Sequence, residues 1–226
     1  MKFLSCRGVL TTLLLLMGGC TVTPSLNADL AEAIAWYTGA AGYVDDLRAR
    51  TLLERAAATQ DSLALMWIAR VHSTGRMGFS QDRNLAQQVA SSVIQDVERL
   101  AQEDVAEASF LLGTAYAEGL GKTIDLTAAA TWYERAALMG NMLAQHNMGN
   151  IYESGTGVHQ NDSLAVYWWR QAADQGDAIP QFRLAVMFEQ GRGVDLDLDE
   201  AFHWYKESAL RGYSQAQAAV DRLEQN

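Results

Sequence analysis

The sequence predicts an all-α fold, a right-handed solenoid of antiparallel helix pairs wound into a superhelix, and three periodic observations predict it. The glycine pairs of Gly119-Leu120-Gly121, Gly155-Thr156-Gly157 and Gly191-Arg192-Gly193 recur every 36 residues. The aromatic pairs Trp132-Tyr133, Trp168-Trp169 and Trp204-Tyr205 follow at the same interval. So do Ala136-Ala137, Ala172-Ala173 and Ser208-Ala209, each ahead of a closing glycine, Gly140, Gly176 or Gly212. A fixed period of this size marks stacked helical units that bury their apolar faces against one another.

Residues 1–19 form a signal peptide: Lys2 and Arg7 give a positive start, Val9 to Met17 an apolar stretch, and Gly18-Gly19 a small-residue end ahead of Cys20. The stretch is too short for a mature membrane-spanning helix. Cys6 and Cys20 are the only cysteines, so a chain beginning at Cys20 forms no internal disulfide. Residues 20–26 are Cys20 and a short tether, in which Pro24 and small polar residues disfavour regular structure. Six extended residues reach only about 20 Å, which keeps the folded body close to Cys20.

Five units follow. Residues 27–60 are a degenerate first unit: Gly39, Asp45, Ala49, Leu52, Leu53 and Ala56 lie 116 residues before their counterparts from Gly155 to Ala172. Residues 61–104 are a second unit, whose second helix starts near Asp82 and runs about two turns longer than the others. The interval from Gly75 to Gly119 is 44, eight above the period, while Leu85, Ala86, Val89, Ala90, Val93, Ile94 and Val97 keep one helical face. This helix is expected to protrude and to change the local curvature.

Residues 105–140, 141–176 and 177–212 are the three regular units. Each opens on a helix with apolar residues at helical spacing, among them Ala108, Leu112 and Tyr116, and is broken by its glycine loop. Asp125, Asn161 and Asp197 then cap a second helix, since their short side chains accept first-turn amide hydrogens. Residues 213–226 are a capping helix with Ala216, Ala219, Val220 and Leu223 toward the last unit and charged residues toward water.

Composition narrows the function classes. The formal charge is −10, and loss of Lys2 and Arg7 with the leader makes it two units more negative. Such a surface repels phosphate backbones, so no nucleic acid is expected as a partner. His72, His146, His159 and His203 fall in different units without metal-ligand spacing, so no metal is expected. The acidic run from Asp195 to Glu200 lacks the glycine and the bidentate carboxylate of a calcium loop and reads as a helix start. No nucleophile elbow or phosphate loop appears, so neither a catalytic residue nor a cofactor is expected.

The combination of Leu112-Gly113 with Tyr116, Met148-Gly149 with Tyr152, and the glycine, aromatic and alanine sets resembles the Sel-1-like repeat, a relative of the tetratricopeptide repeat. The segment Leu16-Met17-Gly18-Gly19-Cys20 resembles the lipobox of bacterial lipoproteins, with Met17 where Leu is usual. The second resemblance implies acyl chains on Cys20, and Thr21 after it implies the outer membrane, periplasmic face. The first implies a non-catalytic scaffold for a protein partner in the cell envelope, supporting an export or motor complex, with a periplasmic immunity protein against a secreted lipase as the alternative. A monomer is expected.

If first helices line the concave side as in tetratricopeptide arrays, the partner-binding groove is Leu30, Met66, Phe110, His146 and Phe182, with Thr114, Asn150 and Val186 one turn on. Ile34 and Arg70 extend that second row, and Glu153 and Glu189 rim it. Exposed apolar side chains in a row would suit a peptide or helix.

Overall fold

The computed structural model describes residues 26–225, and the signal peptide, Cys20 and the tether up to residue 25 lie outside the described residues. Eleven helices and no strand occur among the described residues. They are α1 (Ala28–Thr38), α2 (Asp46–Ala58), α3 (Ser62–Thr74), α4 (Arg83–Gln102), α5 (Ala106–Glu118), α6 (Leu126–Leu138), α7 (Met142–Ser154), α8 (Asp162–Asp174), α9 (Ala178–Gln190), α10 (Leu198–Leu210) and α11 (Ser214–Glu224). Each odd helix from α1 to α9 packs on the even helix after it, and each pair leans on the next, giving an all-α solenoid.

Local chemistry places the helix ends. Asp45, Asp82, Asp125, Asn161 and Asp197 accept first-turn amides of the even helices, and Asn27, Asp61, Asn141 and Asp177 do the same for odd ones. Gly39, Gly75, Gly119, Gly155 and Gly191 end the odd helices in the left-handed conformation.

The second glycine of each loop has a different task. A Cβ on Gly157 would lie 2.6 Å from the Leu126 carbonyl oxygen, and Gly193 presses equally closely on the Asp162 backbone. Gly121 meets the Ala90 backbone, where a Cβ would be 3.4 Å away. The touched residues are themselves 36 apart, so this glycine sets the register between units. It also locates the extra turns of α4: Leu126 and Asp162 open their helices, whereas Ala90 stands seven residues inside α4, so the addition is its N-terminal part.

Within a unit, an aromatic of the even helix lies on the odd one. Gly113 leaves room for the Tyr133 ring and Gly149 for the Trp169 indole, and a Cβ on either would overlap its ring. Gln145 and Gln181, also 36 apart, each donate from Nε2 to the last turn of the preceding helix, at Ala137 O (3.2 Å) and Ala173 O (3.0 Å). Each of these carbonyls also accepts a turn amide, Ala137 O from Gly140 N at 3.0 Å and Ala173 O from Gly176 N at 2.9 Å, so the glutamine adds a second bond at each helix end. Trp168 packs in the apolar cluster of the first four units and Trp169 in that of the last two and the cap.

Candidate functional site: a central cavity

The array closes on itself. The Val44 amide donates to the Arg211 carbonyl at 3.0 Å, joining the α1–α2 loop to the end of α10. The run Gly39-Ala40-Ala41-Gly42 makes the approach possible, because a Cβ on Gly39 would already touch Arg211 Cβ at 3.4 Å and Ala178 Cβ at 3.6 Å. On the other side Gly176 faces Ala40, with 3.3 Å between its notional Cβ and Ala40 Cα. Small residues on both sides let two backbones meet.

Closure turns the inner side into a cavity of about 380 Å³, within the range of small-ligand sites. Tyr37 and Thr38 come to it from α1, Arg70 from α3, and His146, Asn147 and Asn150 from α7. Asp46, Arg76 and Asp177 add charge, while Leu143, Ile179 and Tyr213 supply apolar wall. A second depression of about 280 Å³ adjoins it and shares Arg70, Arg76, Asn147 and Asn150.

Two buried polar arrangements shape this interior. Glu107 accepts from Trp67 Nε1 at 2.6 Å and from Asn141 Nδ2 at 2.7 Å, and burial raises its carboxyl above the ordinary carboxylate value. Those two donors and the Arg70 charge pull the other way without overcoming the burial. His146 Nδ1 lies 2.9 Å from Asp177 Oδ2, and the same Asp177 caps α9 through Ile179. Behind them Tyr133 Oη donates to Thr114 Oγ1 at 3.1 Å, and burial pushes the Tyr133 phenol up to about 12.

Arg70 stands apart. Its residue is 5% exposed, yet Nε and Nη1 meet no acceptor, and the guanidinium carbon lies 4.6 Å from the Trp67 ring centre and 5.2 Å from that of Phe110.

The residues expected to line an open groove divide. Leu30, Met66 and Phe110 are 0% exposed and Thr114 1%, so these four are core and present no docking surface. The reason is the aromatic filling of the inner side: Tyr37, Trp67, Phe110 and Tyr133 follow one another at centroid distances of 6.2, 5.9 and 5.9 Å. His146 and Asn150 do line the cavity. Phe182 and Val186 are half-buried, Phe182 against Tyr205 and Tyr213 at 5.5 and 5.2 Å. Asn147, Arg76 and Tyr213 were not anticipated; the polar cluster His146-Asn147 with Asn150, in a helix register otherwise apolar, was the available signal. No group of three or more metal-ligating side chains occurs among the described residues, and none of their helices is long and apolar enough to cross a membrane.

Comparison with known proteins follows the same geometry. The sequence profile of the Sel1 repeat matches residues 14–42, 106–141, 143–177 and 181–213. The last three matches coincide with the α5–α6, α7–α8 and α9–α10 pairs. The first ends just past α1, whereas the structure pairs α1 with α2. No curated protein matches the chain in sequence. Among solved structures, a Sel1 repeat protein from Oxalobacter formigenes is similar, with 28% identity over 86% of this chain and 54% of its own and a TM-score of 0.56. A protective antigen present in uropathogenic Escherichia coli strains, displaying an SLR fold, is 25% identical over 85% of this chain and 47% of its own, with a TM-score of 0.57. The chain spans about half the length of both. An immunity protein from Pseudomonas aeruginosa is 20% identical over 86% of this chain and 70% of its own, at a TM-score of 0.49.

Proposed function

Because the chain belongs to the Sel1 repeat family, we propose that it is a non-catalytic scaffold that binds a protein partner at the periplasmic face of the outer membrane, held there by lipid on Cys20. The observation that carries the scaffold reading is the three consecutive matched repeats between residues 106 and 213, a repeat architecture suited to protein–protein interaction. The anchor rests on the sequence alone: the apolar leader ending at Gly18-Gly19-Cys20 is followed by a short tether. Buried acyl chains at roughly 0.8 kcal/mol per CH₂ make a durable attachment once more than one chain is present. An export or motor complex is the assembly that such a tethered, acidic body would support.

Crosslinking in intact envelopes followed by purification should recover one component of an export or motor assembly, and recovery of a single secreted lipase instead would overturn that assignment. For the anchor, labelled palmitate should be incorporated by the wild type and lost with Cys20→Ser, which should also release the protein from membranes. An unlabelled wild type would remove the lipid from the account.

A further inference from the structure

We propose that the central cavity is a carboxylate-binding site anchored by Arg70. This deepens the scaffold reading, on which it rests, by naming the chemistry of the group that enters the array. A guanidinium is permanently charged and carries five donors in a planar fork suited to a carboxylate. At Arg70 that fork is nine-tenths buried and lines the cavity; Nε and Nη1, fully covered, meet no acceptor, and Nη2 is the nitrogen that keeps accessible surface for a ligand. No carboxylate among the described residues pairs with it. Glu107, the acid whose charge interacts with Arg70, is already engaged by Trp67 and Asn141. The Trp67 and Phe110 rings hold the guanidinium in place but give it no hydrogen-bond acceptor.

The neighbours fit the same ligand. Arg76 brings a second guanidinium to the cavity. Asn150 uses Oδ1 to accept from Trp169 Nε1 at 3.2 Å, which leaves its amide hydrogens for another acceptor. Asp46 and Asp177 also line the space, and Asp177 is matched by His146. A planar monoanion therefore suits the site better than a phosphate dianion, which would face Asp46. Tyr37, Leu143, Ile179 and Tyr213 offer apolar wall to the body that carries the acid. That acid is either a small carboxylic acid or the carboxylate of a polypeptide.

The test is calorimetric titration of the full chain in detergent with acetate, with an acetylated apolar tripeptide bearing a free carboxyl terminus, with the same tripeptide amidated, and with inorganic phosphate. A carboxylate is expected to bind, the amide not, and Arg70→Met should weaken the acid at least tenfold, the range of a charged hydrogen bond, with an unchanged or higher melting temperature. Acetate binding as tightly as the peptide acid assigns the site to small acids; binding of the peptide acid alone assigns it to chain ends. Should Arg70→Met fail to fold, Arg70→Lys, which keeps charge without the fork, and Arg76→Gln should each weaken the acid severalfold. Equal binding of amide and acid, tighter binding of phosphate, undiminished binding by folded Arg70→Met, or no carboxylate binding at millimolar concentrations would overturn the proposal. Equal recovery of a crosslinked partner by wild type and Arg70→Met would sink the cavity's part in docking and leave the scaffold standing.

Discussion

The Trp67 indole donates to the Glu107 carboxylate at 2.6 Å between α3 and α5, with Trp67 0% and Glu107 7% exposed. A carboxyl whose folded value is raised binds its proton more readily in the folded state than in the unfolded one. Its favourable contribution is therefore complete below the unfolded value, near 4.5, and is lost as pH rises through the higher folded value. Denaturant titrations of wild type and Glu107→Gln should show the wild type losing ground to the variant as pH rises above the ordinary carboxyl value of 4.5. A difference that grows in the opposite direction would mean that the two donors, and not burial, govern this group.

Two glycines of the left-handed region, one closing a unit and one setting register, separate backbone strain from packing. Gly140 and Gly157 both have positive φ, 86° and 77°, but a Cβ on Gly140 meets nothing within 4 Å. Gly140→Ala should cost about 1 kcal/mol, the left-handed penalty. Gly157→Ala should cost about 1–3 kcal/mol more, because its methyl must displace the Leu126 backbone. Equal losses in urea melts would deny the glycine its role between units.

Phe110 and Phe182 occupy equivalent positions in the repeat but not equivalent surroundings. Phe110→Ala should destabilise by about 3–5 kcal/mol, as for a fully buried ring. Phe182→Ala should cost clearly less, since Phe182 is only half-buried. Thermal melts of the two single variants decide this.

Closure has its own variant. Gly39→Val places a branched side chain at φ +89° against Arg211 and Ala178. It should open the α1–α2 loop from the end of α10, seen as a larger radius of gyration in solution scattering with helical content retained. An unchanged radius would show that the contact tolerates the added bulk.

The helical class and its family were legible because the 36-residue spacing of glycines, aromatics and alanines follows from packing that every unit repeats. Whether a given inner position is core or surface was not. Leu30, Met66 and Phe110 recur on one helical face, and that periodicity is the same whether the face meets a neighbouring helix or water. Their burial goes with the aromatic series from Tyr37 to Tyr133, which joins side chains from four different helices and is not a local property. Arg70 was visible as a charge within an apolar stretch, but its missing acceptor is a fact of three dimensions.

The added turns of α4 give the array an index mark. Units that share one period can in principle pair out of step by a whole unit while keeping most of their apolar contacts. Gly121 seats on Ala90 in mid-helix, whereas Gly157 and Gly193 seat on first turns. A chain threaded one unit late would set Arg83 to Val89 beside a hairpin with no room allotted to them, so the oversized helix tells otherwise interchangeable modules which of them comes second.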